Sequence, residues 1–326
     1  MNKLYPLKFK PLFKEKIWGG TKIKDVLGMD IQHLSNCGEA WVLSGVTNNE
    51  TIVKEGFLEG NELNELIEVY MEDLVGEKVF DKYKNEFPIL VKFIDANDYL
   101  SIQVHPDDAL AQKRGLGNGK TEMWYIISAD EGSELIAGFS RKLDQDSYLS
   151  HLKNKTLNEV LNIEKVEAGN VFFMPAGRIH ALGPGILLAE IQQTSDVTYR
   201  IYDYDRKDSN GQLRELHIEE ALEAIDFTVY DDYRSQYPEI KNKSVELVNQ
   251  PCFTTNLMNL NQSFHRDYGQ LDSFVILTCV EGKSEIQYPE GKTNLRAGEC
   301  LLVPAIMDQL LIKPDNETKI METFIL

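Results

Sequence analysis

The chain has 326 residues, enough for about two domains with a substantial core. Hydrophobic residues make up 42% and charged residues 26%, an ordinary globular balance that does not indicate disorder. The formal net charge of −18 opposes binding to nucleic acid or to anionic membrane surfaces, so we expect neither partner. An anionic substrate would therefore need a few well-placed cations or a metal.

The four cysteines show no Cys-x-x-Cys spacing, and they lie at Cys37, Cys252, Cys279 and Cys300. A disulfide framework in so long a chain would be denser, so we interpret them as reduced thiols. No apolar run reaches the length of a signal peptide or of a membrane span. These features predict a cytoplasmic protein.

Three segments have the periodicity of helices. Apolar residues recur at helical spacing over about residues 60–82. The same pattern returns over 143–163, where the capping-box spacing of Thr156 and Glu159 indicates two short helices. A last short helix is predicted over 216–226.

Short strands separated by glycine-bearing turns dominate the rest of the chain. They begin near Pro88, and beyond about residue 240 the pattern is almost entirely strand and turn. No βαβ alternation and no glycine-rich phosphate loop occurs, which favours a mainly β barrel or jelly roll. A Gly-x5-Pro pattern at 169–175 returns at 298–304, a weak repeat that two copies of one barrel would explain.

A set of metal-ligating side chains lies on three of these predicted strands. Gln103 and His105 are two residues apart on one strand and therefore share a face. Glu122 begins the next strand, with Lys120 on its face, and His180 lies where the chain enters a later one. Imidazole and oxygen ligands suit zinc, with iron or manganese possible. One carboxylate and no thiolate would leave the site positive, which suits an anionic substrate.

Several motifs resemble those of known families. Gly169-x5-Pro175-x-Gly177-x2-His180 resembles the second cupin motif. The stretch Leu100-Ser101-Ile102-Gln103-Val104-His105-Pro106-Asp107-Asp108 resembles the signature of type I mannose-6-phosphate isomerases. Further segments similar to that family are Trp18-Gly19-Gly20, Gly38-Glu39-Ala40-Trp41, Lys120-Thr121-Glu122-Met123-Trp124, Glu190-Ile191-Gln192 and Asp196-Val197-Thr198-Tyr199-Arg200. The resemblance covers about residues 5–205 and continues more loosely to the C-terminus.

The resemblance implies a mainly β fold of two cupin-type jelly-roll barrels, with a few helices and a helical insertion reduced to 143–163. The first domain would span residues 1–235 and hold the metal. The second would span 236–326. It departs from the cupin pattern after Gly298 and Pro304, so we expect it to bind no metal.

The resemblance also implies a function. The chain would interconvert mannose 6-phosphate and fructose 6-phosphate, with a small phosphorylated sugar as its partner. One zinc ion per chain would be bound by Gln103, His105, Glu122 and His180. Arg200 would be an essential cation of the active site.

An aldose–ketose isomerase moves a proton between C2 and C1 through an enediolate, so it needs a base, a cation and a phosphate anchor. Glu190 is our first candidate for the base, because burial in its apolar strand should raise the pKa of its carboxyl group. The alternative for Glu190 is a structural ion pair with an arginine. Lys120 could shuttle a proton, and Arg200 could stabilise the enediolate.

Other residues are candidates for holding the substrate. Ser101 shares a face with the two ligands on its strand, and Lys92 and Arg206 are further candidates for the phosphate anchor. Trp18 could line a face of the sugar, and Glu39 could bond a sugar hydroxyl.

Two other functions remain open. A different cupin metalloenzyme, such as a dioxygenase, would not need the basic pair of Lys120 and Arg200. A non-catalytic sugar-phosphate-binding cupin would keep the pocket without turnover. The sequence does not distinguish a monomer from a homodimer.

Overall fold

The computed structural model describes residues 3–207 and 211–326. Within these residues short antiparallel strands predominate over helices, as predicted. The helices are α1 (Lys22–Asp25), α2 (Leu63–Val75), α3 (Glu77–Tyr83), α4 (Asp108–Lys113), α5 (Gln145–Lys153) and α6 (Ile218–Ala224), with a 3-10 turn at Leu157–Glu159. No helix in the two described ranges is long and apolar enough to cross a membrane.

The strands are short and follow one another closely along the chain. They are β1 (Leu7–Lys10), β2 (Leu12–Lys14), β3 (Glu39–Leu43), β4 (Gly45–Val46), β5 (Asn49–Glu50), β6 (Ile52–Val53), β7 (Ile89–Ala96), β8 (Ile102–Val104), β9 (Glu122–Ala129), β10 (Glu134–Phe139), β11 (Leu161–Lys165), β12 (Val171–Met174), β13 (His180–Leu182), β14 (Ile186–Gln193), β15 (Tyr199–Tyr202), β16 (Ser244–Gln250), β17 (Phe253–Leu260), β18 (Phe264–Asp267), β19 (Val275–Glu281), β20 (Lys283–Tyr288), β21 (Gly291–Arg296), β22 (Cys300–Val303), β23 (Gln309–Pro314) and β24 (Thr318–Phe324).

Two sheets form the first barrel. One has the order β12-β9-β14-β7-β3-β2 and the other the order β11-β10-β13-β8-β15. Their inner faces share a core in which Trp124 and Ile126 of the first sheet meet Leu135 and Leu182 of the second.

The second barrel combines a sheet of order β16-β17-β24-β19-β22-β1-β6 with one of order β18-β23-β20-β21. Strand β1 from the N-terminal segment pairs with β22, with Leu7 opposite Leu302. The first sixty residues therefore contribute to both barrels. The division into 1–235 and 236–326 stays a prediction, and residues 1–2 and 208–210 of that first range lie outside the described chain.

The large sheets of the two barrels pack back to back. Leu187 and Ile191 of β14 belong to the same buried cluster as Leu257, Ile276 and Met321 of the second barrel. Strand β14 is consequently buried on both faces along all of its eight residues. A strand buried on both faces needs apolar residues at nearly every position, which explains the run of apolar residues there.

The predicted helical segments correspond to observed elements with one exception. Helix α2 lies within 60–82, α3 ends one residue beyond that range at Tyr83, and α6 lies within 216–226. Helix α5 and the 3-10 turn lie within 143–163, but the helical prediction for its last residues is wrong. Those residues begin strand β11, which pairs with β10. A short alternating segment is ambiguous from its sequence, and here the pairing with β10 decides it.

The interior of the second barrel holds a buried carboxylate with many hydrogen-bond donors. Glu322 is fully buried and accepts hydrogen bonds from Arg266 Nε at 2.7 Å and from the Tyr268 hydroxyl at 2.6 Å. Ser244 Oγ and Asn256 Nδ2 donate to its second oxygen at 3.0 and 3.2 Å. This cluster ties strands β16, β17 and β18 to β24.

We expect Glu322→Gln to destabilise the fold by about 1–3 kcal/mol, because hydrogen bonds to a buried charged group are lost while the shape is kept. Urea denaturation at neutral pH measures this change. The control is Glu246→Gln, an exposed position on β16, which should change stability by less than about 0.5 kcal/mol. Equal unfolding midpoints for the two variants would contradict the structural role of Glu322.

Candidate active site

The inner face of β14 changes from apolar to polar along its length. Ile186 and Leu188 belong to the core of the first barrel, whereas Glu190 and Gln192 follow at the same spacing of two. Because alternate residues of a strand share a face, one end of the barrel interior is apolar and the other is polar. The candidate site lies at the polar end.

Three possible metal ligands meet there from both sheets. His180 Nε2 lies 3.4 Å from Glu122 Oε1, and His105 Nε2 lies 3.6 Å from Glu122 Oε2. Donors bound tetrahedrally at the usual zinc distances are roughly 3.3–3.6 Å apart. The ligand atoms of all three residues lie within 4.8 Å of one another, so their spacing fits a single metal ion.

Gln103 joins this group through strand pairing. It lies directly opposite His180 across β8 and β13. Its amide nitrogen is 3.3 Å from His180 Nε2. The amide oxygen reaches the donor group only after a half-turn of the amide, which exchanges its oxygen and nitrogen.

Both imidazole rings are held in the tautomer that a metal ligand needs. Nδ1 of His105 donates to the carbonyl of Val197 at 2.9 Å, and Nδ1 of His180 donates to the carbonyl of Arg178 at 2.8 Å. The two Nε2 atoms therefore keep their lone pairs. Burial lowers the pKa of both rings, that of His180 to about 4. Both rings are neutral at pH 7, as metal binding requires.

Glu122 is the anionic member of the group. It is fully buried, and neither oxygen accepts a hydrogen bond of normal geometry from the residues that the structure describes. The Lys120 ammonium lies 3.0 Å from Oε2 and 3.0 Å from His105 Nε2. Burial and the nearby charge of Glu190 raise the pKa of Glu122. A buried carboxylate without hydrogen bonds is costly, so the donor set fits a cation bound between the two histidines.

Comparison with known proteins identifies the family of the chain. A sequence model of the type I phosphomannose isomerase catalytic domain matches residues 6–137. Mannose-6-phosphate isomerase ManA of Bacillus subtilis is 35% identical over 302 residues, which cover 92% of this chain and 93% of the relative. The chain belongs to the type I phosphomannose isomerase family. This confirms the family predicted from the motifs.

Further comparisons show that the similarity of this phosphomannose isomerase family member to its relatives covers nearly the whole chain. Mannose-6-phosphate isomerase of Streptococcus mutans is 35% identical over 301 residues, 92% of each chain. The crystal structure of mannose 6-phosphate isomerase from Bacillus subtilis superposes with a TM-score of 0.88 and 33% identity. It covers 98% of this chain and 99% of that one. The predicted fold class is thereby confirmed.

A cavity of about 320 Å³ opens beside the candidate ligands. Among the residues that the structure describes, five cations line it but only three carboxylates. The cations are Lys16, Lys92, Lys120, Arg200 and Arg214, and the carboxylates are Glu39, Glu190 and Asp196. A positively lined cavity in a chain of net charge −18 is a specific local arrangement that suits an anion.

Most of the residues predicted for the site reach this cavity. The ones that line it are Trp18, Glu39, Lys92, Ser101, Gln103, Lys120, His180, Glu190 and Arg200. His105 and Glu122 lie in the wall behind the ammonium group of Lys120. Arg200 is placed by β15, where it lies opposite Gln103, so its side chain shares the inner face with the candidate ligands.

The predicted rise in the pKa of Glu190 is wrong. Burial does push the pKa upward, but the positive charges of Lys92 and Lys120 outweigh it and hold the pKa below its usual range. Lys92 Nζ lies 3.0 Å from Glu190 Oε1, and Trp124 Nε1 donates to Oε2 at 2.8 Å. Glu190 is therefore ionised at neutral pH. The alternative of a structural ion pair fits the geometry better, with Lys92 rather than an arginine as the partner.

Arg206 does not line the cavity, contrary to its prediction as a phosphate anchor. Its guanidinium donates to Asp203 Oδ1 at 2.5 Å and to the carbonyl of Tyr99. Lys92, a second predicted anchor, does reach the cavity. Its ammonium already donates to Gln192 Oε1 at 2.6 Å in addition to the ion pair with Glu190. Arg206 is thus held by groups other than those of the cavity, and the Lys92 ammonium is shared between Glu190 and Gln192.

Four polar residues of the cavity were missed: Lys16, Asp196, Thr198 and Arg214. Asp196 and Thr198 precede Arg200 at a spacing of two, and this alternation could have placed them on the inner face. Lys16 and Arg214 lie outside regular strands. No periodic signal marks them, so only the folded chain reveals their position.

Proposed function

We propose that the chain is a metal-dependent mannose-6-phosphate isomerase that interconverts mannose 6-phosphate and fructose 6-phosphate. The observation that carries this proposal is the group of His105, Glu122 and His180 beside a cavity lined mainly by cations. The reaction is inferred from the family to which the chain belongs, and the positive charge of the cavity suits a phosphorylated sugar.

We propose zinc as the metal, with one ion per chain. His105, His180 and Glu122 would hold it, with Gln103 as a fourth ligand through its amide oxygen. Two imidazoles with oxygen donors are a common zinc environment. When bound, the ion would act as a Lewis acid on the oxygens at C1 and C2 of the sugar.

The protein's own groups would do the rest of the chemistry. Arg200 shares the inner face with the metal ligands, and its guanidinium can stabilise negative charge that develops on an enediolate oxygen. Lys120 lies between the metal ligands and the cavity, where its ammonium can exchange a proton with the substrate. Glu190 faces the same cavity, but its lowered pKa makes it a weak base. We therefore assign Glu190 to positioning Lys92.

The remaining cavity residues are candidates for holding the sugar. The Ser101 hydroxyl is a possible donor to the substrate, and Trp18 offers an apolar face. Glu39 is held by Trp41 Nε1 at 2.8 Å and by Lys16 at 3.1 Å, so it could accept from a sugar hydroxyl. Location in the cytoplasm and a monomeric or homodimeric state stay predictions.

A coupled assay of fructose 6-phosphate formation tests the proposed reaction. We expect purified, zinc-supplemented protein to convert mannose 6-phosphate with a kcat of roughly 1–10³ s⁻¹, the usual range for enzymes. Unphosphorylated mannose at the same concentration is the control and should react far more slowly. Folded, metal-loaded protein that binds mannose 6-phosphate without converting it would contradict the proposal and favour a binding protein.

A further inference from the structure

Three arginines gather around one buried carboxylate at the edge of the first barrel. Asp203, whose side chain is 4% exposed, accepts from Arg214 Nε at 2.6 Å and from Arg206 Nη2 at 2.5 Å. Arg214 Nη2 donates to the same carboxylate. Burial lowers the pKa of Arg200, and the nearby positive charge of Arg214 lowers it further. With three guanidinium groups near one buried carboxylate, positive charge is in excess here.

The arginines of this cluster face different ways. Arg206 is held on the outer side by the carbonyl of Tyr99 and lies 3.8 Å from Asp98. Arg214 and Arg200 instead line the cavity. Nε of Arg200 is buried and has no hydrogen-bond partner among the described residues. A buried donor of this kind is costly unless a ligand accepts from it.

The position of the cluster relative to the metal ligands is set by strand pairing. Strand β15 runs antiparallel to β8, with Arg200 opposite Gln103 and Tyr202 opposite Ile102. Asp203, which follows β15, therefore lies farther from His105 along the sheet than Arg200 does. Arg214, bonded to Asp203, extends the cationic wall of the cavity in that direction. The reacting carbons and the phosphate of a 6-phosphosugar lie at opposite ends of the sugar, so its phosphate needs a cation away from the metal.

We propose that Arg214, oriented by Asp203, which Arg206 also holds, binds the phosphate of the substrate, while Arg200 keeps its proposed role at the enediolate oxygen. This rests on the proposed function. A phosphate monoester carries a charge of about −1.5 to −2 at pH 7, so the cations of the cavity wall would attract it. Guanidinium groups bind phosphate oxygens bidentately, and the two bonds to Asp203 use only Nε and Nη2 of Arg214. Asp203 and Arg206 are positioning residues in this arrangement.

Arg214→Met tests the role of Arg214 directly. We expect the KM for mannose 6-phosphate to rise by roughly 10- to 100-fold, as the loss of charge-assisted hydrogen bonds predicts, while kcat changes by less than about threefold. The inhibition constant of inorganic phosphate should rise in parallel. Arg214→Lys, which keeps the charge, should recover part of the loss. The control is Arg296→Met, an exposed arginine of the second barrel, with KM and phosphate inhibition unchanged.

Asp203→Asn tests whether the carboxylate of Asp203 orients Arg214. We expect it to raise KM by several-fold and to leave kcat nearly unchanged, because Arg214 is present but less well oriented. An unchanged KM in Arg214→Met, or a fall in kcat alone, would overturn the proposal. Calorimetric titration with inorganic phosphate, which needs no turnover, separates this proposal from the proposed function. Phosphate affinity lost in Arg214→Met supports the anchor even if no isomerase activity is found, and affinity equal to that of the unmodified protein overturns it.

Discussion

Replacing His105 with alanine is expected to remove the bound metal and to lower isomerase turnover by about 10³-fold or more. The ring is 2% exposed, its Nδ1 is fixed by the carbonyl of Val197, and its Nε2 faces Glu122. Loss of one donor from a set of four weakens metal binding severely. Lewis-acid stabilisation of the transition state is worth several kcal/mol, and each 1.36 kcal/mol corresponds to about a tenfold change in rate.

Metal content by elemental analysis and turnover by the coupled assay measure this result together. Treatment of the unmodified protein with a chelator should abolish activity, and added zinc should restore it. His33→Ala is the matched control, since His33 is exposed and lies outside the candidate site. A His105→Ala protein that keeps both its metal and its activity would exclude the proposed ligand set.

The candidate ligands were predictable because they depend on local periodicity. A spacing of two on a short strand determines that Gln103 and His105 share a face. Each of the other two candidate ligands lies at the beginning of its own strand, Glu122 on β9 and His180 on β13. The motifs then indicate that these strands belong to one barrel. Such features are visible without knowing which strands pair.

The electrostatics of Glu190 could not be predicted in the same way. Its apolar neighbours in sequence indicate burial, and burial alone raises the pKa of a carboxyl group. The opposing cation, Lys92, is 98 residues away in the chain and reaches Glu190 only because β7 pairs with β14. The sign of the shift therefore depends on strand register, which the pattern of one segment does not contain.

The packing between the barrels was also beyond the sequence pattern. From its position in the sequence, strand β1 is expected in the first domain, yet it pairs with β22 of the second barrel. An edge position accepts whichever strand completes its hydrogen bonds. The position of Arg214 was also not predictable, because this residue lies outside the strands and is held by the carboxylate of Asp203.

Replacing Lys92 with methionine is expected to destabilise the protein by about 3–5 kcal/mol, because it leaves the buried charge of Glu190 without its partner. The two side chains are 6% and 4% exposed and 3.0 Å apart. Glu190 lies opposite Lys92 across β14 and β7, and opposite Trp124 across β14 and β9. The ion pair therefore lies in the middle of the six-stranded sheet, on the face that lines the cavity.

The cost of Lys92→Met should depend on pH. Because the pKa of Glu190 in the folded protein lies below its ordinary value of 4.5, the folded state binds this proton less tightly than the unfolded chain. The stabilisation from the pair is complete above about pH 4.5 and is lost as the pH falls further. The difference in unfolding free energy between Lys92→Met and the unmodified protein should shrink in that acidic range.

Urea denaturation of four proteins distinguishes a buried ion pair from simple loss of packing. The double variant Lys92→Met/Glu190→Gln should recover at least half of the stability lost by Lys92→Met, because the uncompensated charge is gone. Lys283→Met is the control, since it breaks an exposed ion pair with Asp315 in which both side chains are 51% exposed. That change should cost about 0–1 kcal/mol. If the double variant is no more stable than Lys92→Met, the cost comes from packing rather than from the charge of Glu190.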